Sequence, residues 1–413
     1  MLSILRAIVG YPFHLLKGLL QALAVVLLVA STVSLVGGYL GEGIGPNHEW
    51  AEVFDLLSHL RMVSLLGQLI SIGIFLLIRD IPWGIAAFIV LGVNLSQIVP
   101  YYLPQPKPFN AEAASLKLLH WNVYKDNRNE KGIIQYIQEK QPDIIALQEV
   151  DQQWLTAMNV PLRNYAYRVL VPQDNNFGVA LYSKLPILSK QVRSFDEAPP
   201  PPPSSGVEIN SLEIKNLNDL KKIDLKQIDP KKVANSLATS ANQLFRQVFP
   251  RTQFPSIIAT VRYRNNPLTL IVTHPVPPIS GFDAFKTRNK QLKEAAIFAG
   301  RLHQPVILMG DLNCSPWSVY YKALLKNSGL KDSQIGFGIQ PSWPNWVDGP
   351  GNGLLNKRLP QILSPFFQIP IDHILVSPQF VVLKRELGPV DTRSDHLPVF
   401  AELAIDTTST PTQ

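Results

Sequence analysis

The residues of this 413-residue chain best suited to chemistry sit at the ends of apolar runs. Gly310-Asp311-Leu312-Asn313 follows Val306-Ile307-Leu308-Met309, and Ser394-Asp395-His396-Leu397 precedes Pro398-Val399-Phe400. Carboxylates, an amide and an imidazole at the ends of buried strands are costly unless they have partners. Carboxylate oxygens suit a hard cation such as Mg²⁺. In an extended segment, Asp311 and Asn313 would share one face. Together these groups look like half of a metal-assisted phosphoester hydrolysis site. Turn chemistry, which also favours Asp and Asn, accounts for either tetrapeptide alone. It does not account for the pair together with the strand-end residues that accompany it.

Those further residues come in four more apolar segments. Leu118 to Val123 reads as a strand ending near Asn122. Asp143 to Val150 carries Glu149 at its end, Leu268 to Pro275 ends at His274, and Ile371 to Ser377 begins with Asp372. This ordered set resembles the endonuclease/exonuclease/phosphatase superfamily of DNase I-like nucleases and neutral sphingomyelinases, over roughly residues 115 to 405. The resemblance implies an α/β fold, a four-layer αββα sandwich, and a role for each residue. Glu149 would be the main metal ligand, with Asn122 and Asp395 beside the metal. Asp311 would orient or deprotonate the attacking water, and Asn313 would hold the phosphate or that water. His396 would bind the phosphate with Asp372 fixing its ring, and His274 would be a second phosphate-facing histidine. The implied cofactor is Mg²⁺, with Mn²⁺ as a substitute. The physics agrees: a pentacoordinate phosphorane-like transition state needs cationic and hydrogen-bonding groups around it, and its water needs a base within reach.

Neighbouring residues take plainer roles. His120 and His373 flank site residues but are assigned to the opposite strand faces, in packing or at the surface. Trp121 and Trp317 are expected in the core or at the rim rather than under a base. Arg288 lies in an expected helix from about Phe282 to Leu302, more simply exposed than on a substrate phosphate. Cys314, the single cysteine, excludes an intramolecular disulfide and a cysteine-based zinc site, and is expected to be buried filler.

These motifs occupy only part of the chain. Hydrophobic residues make up 46% of it and charged ones 17%, and the apolar excess lies at the N-terminus. No charge occurs from Gly18 to Gly41, from Met62 to Ile78 or from Ile81 to Pro106. Stretches of this length can cross a hydrocarbon core of about 30 Å. Residues 1–105 are therefore expected to form an all-α transmembrane region of about three helices, with spans near 18–40, 62–78 and 82–103. A cleaved signal peptide is the alternative for the first. Arg6 and Lys17 precede the first span, and an acidic loop with Glu42, Glu49, Glu52 and Asp55 follows it. Basic flanks stay cytoplasmic, so three crossings would put the catalytic domain on the non-cytoplasmic side of an inner or plasma membrane.

Residues 106–405 are then the catalytic domain, interrupted by an insertion at 198–252. That insertion opens with Pro199 to Pro203, a stiff linker, and continues with Lys215, Lys221, Lys222, Lys226, Lys231 and Lys232. Residues 406–413 are an expected disordered tail. The net charge of +7 suits an anionic partner, nucleic acid or phospholipid, without choosing between them. The lipid bilayer is the other expected partner, and no protein partner is inferable. Pro370-Ile371-Asp372-His373 departs from the motifs of inositol-polyphosphate phosphatases and abasic-site endonucleases at this place. The leading expectation is a membrane-anchored Mg²⁺-dependent phosphodiesterase, most simply a nuclease. A phospholipid hydrolase at the bilayer and a non-catalytic membrane scaffold are the alternatives.

Overall fold

The computed structural model describes residues 2–45, 48–105, 115–196, 253–345 and 366–405. The expected insertion, at 198–252, and tail, at 406–413, lie outside the described residues. Two six-stranded sheets form the part beyond residue 115. The first contains β1 (Leu116–Asn122), β2 (Ile144–Gln148), β3 (Tyr167–Val171), β4 (Val179–Ser183), β11 (Phe380–Leu387) and β12 (Val399–Ile405), in the order β11-β12-β1-β2-β4-β3. The second contains β5 (Ile187–Arg193), β6 (Ser256–Tyr263), β7 (Asn266–Val272), β8 (Val306–Asp311), β9 (Lys331–Asp332) and β10 (Asp372–Val376), in the order β5-β6-β7-β8-β10-β9.

Each sheet has one central parallel pair, β1 with β2 and β7 with β8. Such strands are covered on both faces, which explains why β2 and β8 are uninterrupted buried runs rather than alternating ones. Helices α5 (Glu130–Lys140) and α6 (Gln152–Asn159) bury Ile133, Ile137, Trp154 and Met158 against the first sheet. Helices α7 (Phe282–Gly300) and α8 (Val319–Ser328) bury Leu292, Ala296, Tyr321 and Leu324 against the second. The inner faces meet where β1 packs on β8 and β10, completing an αββα sandwich. The strand ends that carry the polar motifs are thereby brought to one edge.

The N-terminal part is helical: α1 (Leu2–Ile44), α2 (Glu49–His59), α3 (Arg61–Leu77) and α4 (Ile81–Ile98). Among the described residues, two stretches, His14–Ile44 and Ile81–Tyr101, are long and apolar enough to cross a membrane, and α2 with α3, bent by 70°, makes a third if the pair is one span. The segment expected to be an acidic loop is largely α2. His48 caps this helix by accepting from the Trp50 N–H, and Glu49 and Glu52 occupy its first turn, where the helix dipole favours negative charge. The bundle differs from a water-soluble one in its apolar outer face. Ser31, Ser64, Gln68, Ser71 and Asn94 are buried alongside an apolar cluster that includes Leu28, Ile72 and Phe75, while Leu19, Val26, Leu76, Ile85, Phe88 and Ile89 are exposed. Ser31 and Ser64 each donate to the other's carbonyl at 3.1 and 3.0 Å, and Asn94 Nδ2 donates to Gln68 Oε1 at 3.1 Å.

Candidate active site

Asn122 closes β1, Glu149 follows β2, His274 lies two residues beyond β7, and Asp311 closes β8. Because β10 runs antiparallel to β8, its first residue, Asp372, is the register partner of Asp311. The turn before β12 delivers Asp395 and His396. Asn122 Nδ2 lies 3.0 Å from Glu149 Oε1, 3.3 Å from Asp311 Oδ2 and 3.4 Å from His396 Nε2. Both His274 Nε2 and His396 Nε2 are 3.5 Å from Asp311 Oδ2. Residues separated by up to 274 positions thus share one buried cluster.

Asp372 sits behind the His396 ring, with Oδ2 2.8 Å from Nδ1. Its other oxygen is 2.8 Å from His120 Nε2. His120 is therefore neither surface nor inert packing, and its expected facing was wrong. It stands two residues before Asn122, so the period-two alternation of a strand puts both on the same face. His373, next to Asp372, does point away; it is buried and its Nε2 bonds the Cys314 carbonyl at 2.8 Å.

Burial alone would lower the His396 pKa, but Asp372, Asp311 and Asp395 outweigh it and raise it well above the ordinary imidazole value. His274 is raised for the same reason, burial being overcome by its bond to Asp311. Asp372 goes the other way: desolvation opposes its charge, but His396 and His120 win and lower its pKa. The site thus stores two imidazolium-favouring positions against buried carboxylates, an arrangement suited to an anionic ligand.

Backbone geometry supports the cluster. Gly310 is required because a Cβ there would lie 1.9 Å from the Thr273 carbonyl oxygen. Gln148, whose part the motif alone does not reveal, bridges the two sheets. Its Nε2 donates to the Thr273 carbonyl at 2.7 Å and its Oε1 accepts the Asp311 N–H at 2.8 Å. Glu149 and Asn313 both hold left-handed backbone, with φ of 59° and 48°. Such conformations persist in non-glycine residues where surroundings over-determine them, often at active sites. The chain has already left extended geometry at Asn313, so Asn313 and Asp311 do not share a strand face as expected. The Asn313 N–H donates to Asp311 Oδ1 at 2.9 Å, and its Nδ2 donates to the Pro275 carbonyl at 3.0 Å.

Glu149 and Asp395 are suited to a divalent cation. Burial raises the Glu149 pKa, outweighing His274 and the Asn122 hydrogen bond, so its charged form lacks full compensation. Asp395 Oδ1 is a buried atom with no hydrogen-bond partner among the described residues. Such an oxygen is an expensive orphan unless a cation or another donor meets it. Asp311, Asp372 and His396 also offer ligand atoms within 4.8 Å of one another. Both Asp372 oxygens, however, are already committed to imidazoles.

Trp121 and Trp317 are buried; the former's Nε1–H donates to the His396 carbonyl at 3.2 Å. Cys314 is buried beside Arg288, and desolvation pushes its thiol up to about 11. Arg288 is fully buried rather than exposed. Its Nη1 donates to the Asn313 carbonyl at 2.9 Å and its Nη2 pairs with Asp55 Oδ2 of α2 at 2.7 Å. The sequence carries no local signal for that partner, which is 233 residues away. Two half-buried aromatics, Phe177 and Trp343, flank His274 and His396, with ring centroids at 5.4 and 6.4 Å.

Several solved structures resemble the chain at low identity. An endonuclease/exonuclease/phosphatase from Bacteroides vulgatus is 17% identical, covering 71% of this chain and all of its own, at a TM-score of 0.45. D. rerio TDP2 complexed with single-strand DNA product is 16% identical, covering 70% of this chain and 99% of its own, at 0.45. The 3′ phosphatase NExo from Neisseria, bound to product DNA hairpin, is 19% identical, covering 70% and 99%, at 0.45. No curated protein sequence matches the chain. The model of the Endonuclease/Exonuclease/phosphatase family matches residues 119–396, more than half of the chain and every strand-end residue described above. The chain belongs to the endonuclease/exonuclease/phosphatase family, a family of divalent-metal-dependent phosphoester hydrolases.

Proposed function

We propose that this phosphoester hydrolase is a membrane-anchored, Mg²⁺-dependent phosphodiesterase, most simply a nuclease. The observation that carries the reading is the convergence of Asn122, Glu149, His274, Asp311 and His396, with Asp372 behind, at one edge of the sandwich. Glu149, Asp395 and Asn122 would hold Mg²⁺ or Mn²⁺, which when bound supplies charge neutralisation on the phosphoryl oxygens.

The chain's own groups do the rest. Asp311 Oδ2 accepts the proton of the attacking water, and the Asn313 N–H on Oδ1 keeps the carboxylate oriented. His396, charged and held by Asp372, donates from Nε2 to a phosphoryl oxygen. His274, whose Nε2 lies at the same 3.5 Å from Asp311 Oδ2, donates to another phosphoryl oxygen. His120, on the far oxygen of Asp372, keeps that carboxylate ionised and its orientation fixed. Asn313 positions the loop and the phosphate. The stabilisation is greatest where charge builds up in the transition state, because the donors are already in place.

Anchoring rests on the N-terminal bundle, whose exposed face is apolar and whose helices are joined by buried hydrogen bonds, as suits bilayer-spanning helices. The reading puts the catalytic domain on the non-cytoplasmic side. A second reading, hydrolysis of a phospholipid headgroup bond, is favoured by one observation: α2 of that bundle touches the loop next to Asn313. The test is a hydrolysis screen of the full-length protein in detergent and in lipid nanodiscs. It compares DNA, RNA, sphingomyelin, glycerophospholipid, inositol phosphates and a generic diester, each with Mg²⁺ and with chelator. Mg²⁺-dependent cleavage of nucleic acid supports the first reading and cleavage of lipid alone the second. Turnover unaffected by chelator overturns both.

A further inference from the structure

The N-terminal helices do more than adjoin the catalytic domain. The segment from Asn313 to Ser318 leaves β8 in a left-handed turn and enters α8. Four buried side chains fix it. Arg288 Nη1 donates to the Asn313 carbonyl at 2.9 Å, and His373 Nε2 donates to the Cys314 carbonyl at 2.8 Å. These two belong to the sandwich. The other two come from α2. His59 Nδ1 is 2.6 Å from Ser315 Oγ and accepts the Ser315 N–H at 3.3 Å, and Asp55 Oδ1 accepts from Ser318 Oγ at 2.6 Å. Ser318 is at the same time the N-cap of α8, accepting the Tyr320 N–H.

Asp55 also joins the two sets. Its Oδ2 pairs with Arg288 Nη2 at 2.7 Å and lies 3.7 Å from His59 Nε2. Since a backbone N–H points at His59 Nδ1, that nitrogen is an acceptor and the ring proton faces Asp55. Arg288 is thereby satisfied at every nitrogen: Nε by Asn289, Nη1 by Asn313 and Nη2 by Asp55. Both partners of the ion pair are buried. A buried guanidinium whose carboxylate is removed is left uncompensated, and here it would be left so while holding the carbonyl of Asn313. Arg61, the first residue of α3, adds a contact by standing over the Trp317 ring at 5.9 Å.

We propose that α2 is part of the catalytic apparatus, with Asp55 and His59 as positioning residues that hold, through Arg288, Ser315 and Ser318, the loop bearing Asn313. The inference rests on the reading of this site as catalytic. Its chemistry explains why an acidic and an imidazole side chain occur on a helix of the anchoring region: they complete a polar junction that the sandwich leaves open. It also makes the anchor a channel for control, because any rearrangement of α2 against the catalytic domain reaches Asn313 through two contacts.

The test uses the full-length protein in nanodiscs, with a generic phosphodiester as substrate and with kcat, KM and Tm measured on each variant. Asp55→Ala is expected to lower kcat tenfold or more with KM changed less than twofold, and to lower Tm. His59→Ala, which leaves the ion pair intact, is expected to lower kcat about fivefold with a smaller loss of Tm than Asp55→Ala. The double variant Asp55→Ala/Arg288→Met removes the unpaired charge, so Tm recovers, but kcat stays low because Asn313 has lost its donor. A double variant that regains both Tm and kcat assigns the pair to stability alone and overturns the proposal. Wild-type kcat in His59→Ala together with wild-type kcat in Asp55→Asn overturns it too, and these two milder changes apply if Asp55→Ala fails to fold. Glu149→Ala is run alongside. If it is inactive while the α2 variants are normal, the positioning role fails and the site reading stands. If it too is normal, the site reading itself fails.

Discussion

Replacing Asp372 with asparagine isolates what a buried charge contributes at this site. The carboxylate accepts from two imidazoles at 2.8 Å each, His120 on Oδ1 and His396 on Oδ2. Asparagine keeps the shape but has one acceptor oxygen, so one ring must face an NH₂ group. In either orientation the negative charge that favours protonated His396 is gone. A hydrogen bond to a charged group is worth about 1.5–3 kcal/mol. At about 1.36 kcal/mol per decade of rate, kcat should fall by about 10- to 150-fold. His396→Ala removes the donor and its charge together and should cost more, since loss of one transition-state donor alone costs about 10²–10³. The pH dependence gives a second signature. Asp372, Asp311 and Asp395 raise the His396 pKa, so the protonated form that the proposed mechanism uses persists to higher pH in the wild type. In Asp372→Asn that pKa falls, and the alkaline limb of the kcat profile should move to lower pH. The assay is kcat against pH on a chromogenic phosphodiester at saturating Mg²⁺, for wild type and both variants. A loss in Asp372→Asn larger than in His396→Ala, or an alkaline limb that does not move, would refute the positioning role of Asp372.

Glu149→Ala should abolish Mg²⁺-dependent hydrolysis and weaken Mg²⁺ binding by calorimetry while near-native circular dichroism is kept; near wild-type turnover at saturating Mg²⁺ would remove Glu149 from the metal site. Gly310→Ala should destabilise the domain by about 3 kcal/mol or more, because its Cβ would meet the Thr273 carbonyl oxygen at 1.9 Å. Thermal unfolding should then shift down by about 6–12 °C, and an unchanged Tm would show that the backbone there yields. A reporter active only outside the cytoplasm, fused after Ala404, should be active if the helical region crosses three times. A silent fusion would mean that α2 and α3, bent by 70°, do not make a crossing.

Much of the catalytic sandwich was legible in the residues themselves. Parallel strands buried on both faces must be apolar throughout, so Val306 to Met309 and Ile144 to Leu147 announce themselves. Polar groups can then stand only where such strands end, which is why Glu149, Asp311 and His396 stand out as candidates and why their order along the chain carries the family resemblance. Even the position of His120 was available from the alternation of β1, had it been counted from Asn122.

Other features depend on which elements meet. That Asp372 lies opposite Asp311 follows from an antiparallel register, and that Gln148 bridges to Thr273 follows from the approach of two sheets. Asn313 leaves the strand face because the chain turns left-handed there, a choice made by the donors and acceptors around it. The same holds for α2. An acidic segment between apolar stretches looks like a solvated loop when only neighbours in sequence are considered. Its Asp55 is buried because Arg288, 233 residues away, would otherwise be a charge without a partner. Burial patterns and strand periods are properties of local sequence, whereas the pairing of buried charges is decided by distances that only the folded chain sets.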